Sequence, residues 1–221
     1  GAFFAATVWC TSGYFAWHGA GGHSTFLAFY YTPWLLWMWR RAETDLRWCG
    51  PIALIMVEEL LEGGHYAFPY SALILLFDAL VRVTPSRLRA IVQVGAISGG
   101  LTLVAGACRW IPIMLAMLRN PRPIEDLDHL SPPEILTIMT AREHDWRWPG
   151  HTWVWAEYGS YVGYGVLALA LLGLVRARAR KHLGTVAGLV LFLLLTAGNW
   201  GPLWPTALLR HVPFYNNLHL P

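Results

Sequence analysis

Long apolar runs separated by short arginine-rich segments constrain this chain more than any other feature of its sequence. The three segments together hold ten of the sixteen lysine and arginine residues, and they are Arg40–Arg47, Arg82–Arg89 and Arg176–Lys181. Apolar runs that alternate with short cationic loops are typical of membrane-crossing helices, and the cationic loops mark the cytoplasmic side. The sequence therefore predicts an all-α, polytopic transmembrane helical bundle of about seven spans, with the arginine-rich loops in the cytoplasm.

The composition agrees with this class of protein. Of the 221 residues, 56% are hydrophobic and 13% are charged, whereas a soluble domain has about 25% charged residues. The thirteen tryptophans suit a membrane–water interface, because the indole ring is apolar and its N–H is polar. The net charge of +3 follows from the loops, so we expect membrane lipids as partners and no nucleic acid. The sequence gives no indication of the oligomeric state.

Seven apolar stretches are predicted to cross the membrane. They are Ala2–Trp17, Ser24–Trp39, Trp48–Leu61, Tyr66–Val81, Ala90–Cys108, Ala156–Val175 and Gly184–Trp200. We therefore divide the chain into N-terminal spans in 1–108, an extracytoplasmic loop with short helices in 109–155, and two C-terminal spans with an outer tail in 156–221. The chain opens inside an apolar run and stops without a terminal helix, so it is expected to be an internal fragment of a larger protein.

Two local patterns predict contacts within this scheme. In the outer loop, Ser131-Pro132-Pro133-Glu134 has the composition of a helix start, with a capping serine, prolines in the first turn and an early carboxylate. A short helix through Thr140 should follow it. In the fourth span, Asp78 and Arg82 are four residues apart and are expected to form an ion pair.

The third and fourth spans leave two arrangements open. Each is shorter than the roughly 20 residues that a perpendicular helix needs to cross the bilayer. In one arrangement both cross fully, and the turn Gly63–His65 lies outside. In the other they form a re-entrant hairpin from the cytoplasmic side, and the turn lies within the membrane. The arginine-rich segments agree with both arrangements.

Three carboxylates near the end of the third span are candidates for chemistry. Glu58 and Glu62 are four residues apart and share a helix face, whereas Glu59 lies about 100° around the helix from Glu58. Ionisable residues inside a span are costly and usually face a cavity or the protein interior. A simpler interpretation is that these side chains reach toward water or cap the helix end.

Histidines, arginines and one further glutamate fall on the same outer side of the predicted membrane. They are His18, His23, His65, Arg119, Arg122 and Glu157. The glycine-rich loop HGAGGH (18–23) allows close approach to an anionic group, and arginine suits bidentate contact with phosphate. The histidine spacing lacks the tight pattern of a zinc site, so no metal ligands are assigned and the cofactor stays unknown. Loop packing and internal ion pairs explain the same residues without a ligand.

Several stretches resemble a known family. The segment His18–His23, the pattern EYGSYVG at Glu157–Gly163 and the exit segment Gly201–Pro221 are similar to features of YfhO-like bacterial proteins of the GT-C glycosyltransferase superfamily. The resemblance covers most of the chain and is diffuse. It implies a multi-pass protein of the bacterial plasma (inner) membrane that transfers sugar from a polyprenyl-phosphate-linked donor at the outer face.

The resemblance also implies a division of roles. Members of that superfamily commonly use an acid in the first outer loop, and the loop HGAGGH contains none. Either that first loop lies upstream of this fragment or the chain is not catalytic. For an enzyme, the resemblance implies Glu59 or Glu62 as the candidate base for an acceptor hydroxyl, with Arg119, Arg122 and the histidines holding the leaving phosphate. Two alternatives stay open: a transporter or flippase-like subunit for a lipid or polymer, and a non-catalytic structural membrane subunit.

Overall fold

The computed structural model describes residues 2–63, 66–120, 129–142, 148, 150–151, 155–176, 179–212 and 215. The regular structure of these residues is helical, which confirms the all-α class, and an isolated bridge joins His129 to Gly198. In chain order the α-helices are α1 (Ala2–Cys10), α2 (Gly13–Ala20), α3 (Thr32–Ala42), α4 (Cys49–Leu61), α5 (Ala67–Arg82), α6 (Pro85–Ala105), α7 (Ala107–Arg119), α8 (Pro132–Thr140), α9 (Trp155–Tyr158), α10 (Tyr164–Arg176), α11 (Ala179–Thr196) and α12 (Pro205–Leu209).

Contacts divide the chain into two compact units. One unit joins Gly1–His23 to Ile124–Pro221, and the other is Ser24–Pro123. The division into 1–108, 109–155 and 156–221 was based on membrane crossings, and it stays a prediction. The unit Ser24–Pro123 is called the central unit below, and the other is called the terminal unit.

In the central unit, α4 is the helix around which the others pack. It contacts α3, α5 and α6. The buried cluster draws on all four helices and consists of Leu35, Met38, Trp39, Ala42, Cys49, Ile52, Met56, Leu75, Ala79, Ile91 and Val94. Along α4 the buried positions recur every three or four residues, as one face of a helix requires. Burying each of its larger apolar side chains contributes about 1.5–3 kcal/mol.

Helix α6 is the described helix best suited to cross a membrane. Its 21 residues give a length of about 31 Å, and only 22% of its most apolar 18-residue window is buried. Ile91, Val94, Ser98 and Thr102 form its buried stripe. Apolar side chains cover other faces of the same helix, including Leu88, Val92, Leu101 and Val104, and these are exposed. Within the described residues, one helix reaches the length and hydropathy of a span, and α10 and Leu183–Thr196 are shorter apolar segments.

Four predicted spans are interrupted, and one of them, Ala90–Cys108, changes from α6 to α7 at Gly106. The stretch Ala2–Trp17 is divided between α1 and α2, and Ser24–Trp39 begins as a 3-10 helix at Ser24–Tyr31 before α3. The stretch Ala156–Val175 starts in α9, leaves helical geometry at 159–163 and continues as α10. None of these stretches is one continuous helix, and the break near Pro33 in Ser24–Trp39 is the one that the sequence indicates. The physical reason is local, because proline or glycine stands at each interruption.

In the terminal unit, the predicted helix start at Ser131 is confirmed. Ser131 and Glu134 form a capping box, in which each side chain satisfies a backbone N–H of the first turn. The segment after α9 is held to the end of α8, since the Ser160 N–H donates to the Ile138 carbonyl at 3.1 Å and the Val162 N–H to the Met139 carbonyl at 2.9 Å. A second apolar cluster lies here and comprises Leu130, Ile138, Trp155 and Tyr158.

A glycine contact explains how α2 packs on that segment. The Gly13 N–H donates to the Tyr161 carbonyl at 2.7 Å, and a Cβ added to Gly13 would lie 2.6 Å from the Tyr161 Cβ. Gly13→Ala is therefore expected to lower the free energy of unfolding by about 1–3 kcal/mol through overpacking. Thermal unfolding in detergent, followed by circular dichroism, measures this. Gly19→Ala in the same helix is the control, because a Cβ there meets nothing within 4 Å. Equal melting of Gly13→Ala and Gly19→Ala would contradict the contact.

Candidate functional site

The last turn of α4 carries the three predicted carboxylates and separates them by exposure. Glu58 and Glu62 are exposed, as expected for residues that share a face, and Glu59 is fully buried. Glu59 extends the stripe of buried positions on α4, because it follows Met56 by three residues. The helix therefore directs one carboxylate into the bundle and two toward its surface.

Glu59 has a defined partner inside the bundle. Its Oε1 atom accepts a hydrogen bond from the Ser71 Oγ at 2.8 Å, and Ser71 is itself buried on α5. Its Oε2 atom is buried and has no hydrogen-bond partner in the described part of the chain. A buried polar atom without a partner costs about 1–3 kcal/mol. Buried polar atoms in folded proteins are usually hydrogen-bonded, so this atom distinguishes Glu59 from ordinary core residues.

A turn follows the carboxylates, and a cation lies beside that turn. Gly63 has φ 84°, a left-handed conformation that glycine adopts without strain, and it ends α4. A Cβ added to Gly63 would lie 3.3 Å from the Thr25 Cγ2 and 4.0 Å from the Arg109 Nη2. The guanidinium of Arg109, in the first turn of α7, thus lies next to the turn that follows Glu62.

A phenol joins the same end of the central unit. The side chain of Tyr31 lies within electrostatic range of Glu58, Glu59 and Glu62. We call Tyr31, Glu58, Glu59, Glu62 and Arg109 the carboxylate end. It combines proton acceptors, a hydroxyl and a fixed positive charge, which are the groups that acid–base chemistry beside a phosphate requires.

The charge state of Glu62 suits a proton acceptor. Partial burial raises the pKa of the Glu62 carboxyl above its usual range, and the neighbouring Glu58 carboxylate raises it further. A raised pKa makes the ionised carboxylate a stronger base. Glu62 is thus an exposed carboxylate with a raised pKa at the end of α4.

Two of the predicted histidines, His18 and His23, belong to the terminal unit. His18 is buried on α2, and its ring centroid lies 5.7 Å from that of His23 and 4.4 Å from that of Tyr14. Burial lowers the pKa of His18 to about 4, and the nearby His23 lowers it as well. His18 is therefore neutral near pH 7 and can act there as a hydrogen-bonding group, not as a cation for phosphate.

The other predicted residues are distributed as follows. Arg119 is exposed at the end of α7, about 15 Å of helix beyond Arg109. His65, Arg122 and the side chain of Glu157 lie outside the described residues. Of the predicted set, the structure brings Glu59 and Glu62 together at the carboxylate end, and the substrate-binding roles of the others stay predictions.

Sequence reasoning missed Arg109, Tyr31 and Ser71. A weak signal existed for Arg109, since it is the first charge after the apolar run of the fifth span. The third and fifth spans were predicted to run in the same direction, so Glu62 and Arg109 should both lie at their outer ends. No comparable signal marked Tyr31 or Ser71, whose types are common in interfacial and core positions.

An ionic network lies at the opposite end of the bundle, where α3 ends and α5 ends. The predicted pair is confirmed, with the Arg82 Nη2 at 2.6 Å from the Asp78 Oδ2. Asp78 also accepts from the Arg40 Nη2 at 2.7 Å, and Arg82 reaches the Glu43 Oε1 at 2.6 Å. Residues from the first two arginine-rich segments therefore meet on one shared carboxylate.

Polar residues of the terminal unit are already engaged in structure. The Glu134 carboxylate accepts hydrogen bonds from the Ser131 side chain and N–H and meets His151 at 3.0 Å. The Ser131 hydroxyl, with help from the Ser131 N–H and His151, lowers the pKa of Glu134. This carboxylate serves the helix cap. Among the residues that the structure describes, no three His, Cys, Asp or Glu side chains are grouped so as to hold a metal ion.

Comparison with models of protein families, with curated proteins and with solved structures finds no match. The similarity to YfhO-like proteins thus stays an expectation from the sequence. Function must be inferred from the carboxylate end itself.

Proposed function

We propose that this chain belongs to a multi-pass membrane enzyme that transfers sugar from a polyprenyl-phosphate-linked donor at the outer face of the plasma membrane. The observation that carries the proposal is the grouping of Glu59, Glu62 and Arg109 at one end of the central unit. Sugar transfer needs a base for the acceptor hydroxyl and a cation for the leaving phosphate. Both kinds of group are present there.

Glu62 is the proposed base. The Glu62 side chain is exposed. Its raised pKa makes the carboxylate a stronger base toward an acceptor hydroxyl. Glu59 is too deeply buried to meet an acceptor that arrives from water. Its hydrogen bond to Ser71 links α4 to α5, so we assign it the positioning of the turn on which Glu62 lies.

Arg109 is the proposed phosphate contact. Its guanidinium lies beside Gly63, one residue from the proposed base, and arginine offers several donors to phosphate oxygens in a fixed geometry. Arg119, predicted for this role from the sequence, lies farther along α7.

The distribution of charge supports an outer location for the carboxylate end. Arg40 and Arg82 lie at the opposite end of the same bundle, and cationic short loops favour the cytoplasm. The exposed apolar faces of α6 fit contact with lipid. On this proposal the bundle crosses the membrane with the carboxylates outside.

One observation favours a second function. The Oε2 atom of Glu59 is buried without a hydrogen-bond partner in the described residues. An ionisable group of this kind at membrane depth is typical of proton or cargo sites in transporters. Transport of a lipid or polymer is therefore the alternative, and a structural subunit is the outcome if neither activity is found.

The proposed base is tested by Glu62→Gln in the purified full-length protein. The assay supplies a panel of polyprenyl-phosphate sugars and measures release of polyprenyl phosphate. The loss of a general base should lower the rate by about 100-fold or more. Because the base acts when deprotonated, wild-type activity should rise with pH through the raised pKa of Glu62, and Glu62→Gln should lose that dependence.

Asp45→Asn is the matched control. It makes the same acid-to-amide change on a residue whose side chain caps the short 3-10 helix Leu46–Trp48, and asparagine caps equally well. Full activity of Glu62→Gln would remove the proposed base. If no donor in the panel is consumed by the wild-type protein, sugar transfer is rejected in favour of transport or a structural role.

A further inference from the structure

One face of α3 combines apolar, aromatic and cationic side chains. Five residues line an open pocket of about 400 Å³, and they are Pro33, Leu36, Trp37, Arg40 and Arg41. Their spacing of three, four, seven and eight residues from Pro33 places them on one stripe of the helix. The apolar members come first along the helix and the cations last. The pocket is therefore apolar at one end and positively charged at the other.

Aromatic contacts hold the charged end in place. The Arg41 guanidinium lies 5.6 Å from the centroid of the Trp37 ring. The electron-rich face of the ring attracts the cation. Trp37 in turn meets Trp48 edge-on at 4.7 Å and Trp34 edge-on at 6.2 Å. Trp34 is 62% exposed. Such a belt of exposed indoles beside arginines is typical of the membrane–water interface.

The charged end has an excess of positive charge. In the part of the chain that the structure describes, no carboxylate pairs with Arg41. Arg40 shares Asp78 with Arg82, and its side chain is still 59% exposed. Glu43 is bound to Arg82, and Asp45 accepts the Arg47 N–H as the cap of the short 3-10 helix Leu46–Trp48. An anion that enters the pocket therefore meets two guanidinium groups, and the residues that line the pocket include no carboxylate.

We propose that this pocket binds an anionic phospholipid of the cytoplasmic leaflet. Arg41 and Arg40 contact the headgroup phosphate, and an acyl chain lies along Pro33, Leu36 and the Trp37 ring. The inference rests on the proposed membrane placement and is independent of sugar transfer, since the pocket belongs to the arginine end of the central unit.

Native mass spectrometry of the delipidated full chain in neutral detergent tests the proposal. Phosphatidylglycerol and phosphatidylcholine with identical acyl chains are titrated separately, and inorganic phosphate is added as a competitor. We expect phosphatidylglycerol to bind more tightly than phosphatidylcholine, and Arg41→Ala to weaken it about fivefold, the factor that corresponds to one cation near an anionic lipid surface. Millimolar phosphate should not displace it, because the acyl chain contributes to binding.

Arg47→Ala is the matched control. Arg47 belongs to the same arginine-rich segment and is exposed, but it does not line the pocket. It should change phosphatidylglycerol binding less than twofold. Equal binding of the two lipids, an unchanged affinity in Arg41→Ala, or displacement by millimolar phosphate would each overturn the proposal.

Discussion

Asp78→Ala is expected to lower the free energy of unfolding by about 3 kcal/mol. Asp78 accepts the Arg40 Nη2 at 2.7 Å and the Arg82 Nε at 2.7 Å, so one largely buried carboxylate neutralises two cations. Removing one partner of a buried ion pair typically costs about 3–5 kcal/mol, because the remaining charge stays desolvated. The lower end applies here, since Arg82 keeps Glu43 and Arg40 is already in contact with water.

Arg40→Ala is the companion measurement. The Arg40 side chain is exposed, and Asp78 keeps Arg82 when Arg40 is removed, so this loss should be about 1 kcal/mol or less. Unfolding of both variants in detergent, followed by circular dichroism, should therefore show a much larger loss for Asp78→Ala. Equal losses would mean that Arg82 does not depend on Asp78. The network matters beyond stability, because it fixes α3 against α5 at one end of the bundle, and α5 carries the Ser71 that holds Glu59.

Contacts between residues close in sequence could be predicted from the sequence. The capping box of Ser131 and Glu134, the pair of Asp78 and Arg82, and the common exposure of Glu58 and Glu62 all depend on the geometry of a single helix. That geometry is fixed by hydrogen bonding within a few residues. Predictions at this range need no knowledge of how helices pack.

Contacts between helices could not be predicted in the same way. Arg40 reaches Asp78 from 38 residues away, and Ser71 reaches Glu59 from the next helix. Arg109 approaches Gly63 only because α7, which carries Arg109 in its first turn, packs against α4. A charge-based topology assigns such residues to a side of the membrane. It contains no information on which of them touch.

Helix breaks were missed because apolar composition hides them. The interruption between α1 and α2 occurs at Thr11 and Ser12, and Gly13 then packs directly on Tyr161. The extended stretch before α10 ends at Gly163, which has φ 84°. Hydropathy averages over these residues and predicts one span, whereas glycine and small polar residues permit a break wherever packing elsewhere favours it.

Trp155→Ala is expected to destabilise the terminal unit by about 3–5 kcal/mol. Trp155 is 1% exposed and packs with Leu130, Ile138 and Tyr158 in the second apolar cluster. Removing a buried tryptophan loses its apolar burial and leaves a cavity that the surrounding helices fill only in part. The cost should be high here because α9 has only four residues and cannot hold its position by its own hydrogen bonds.

Tryptophan fluorescence during thermal unfolding in detergent checks this result, with Trp200→Ala as the control. Trp200 belongs to the same unit and is 48% exposed, so its truncation should cost about half as much or less. If Trp155→Ala and Trp200→Ala unfolded at the same temperature, α9 would be held by contacts other than those of this cluster. A larger loss of stability in Trp155→Ala would instead establish that the second apolar cluster fixes α9 beside α8. Through the Ser160 and Val162 hydrogen bonds to α8, it would then also fix the start of α10.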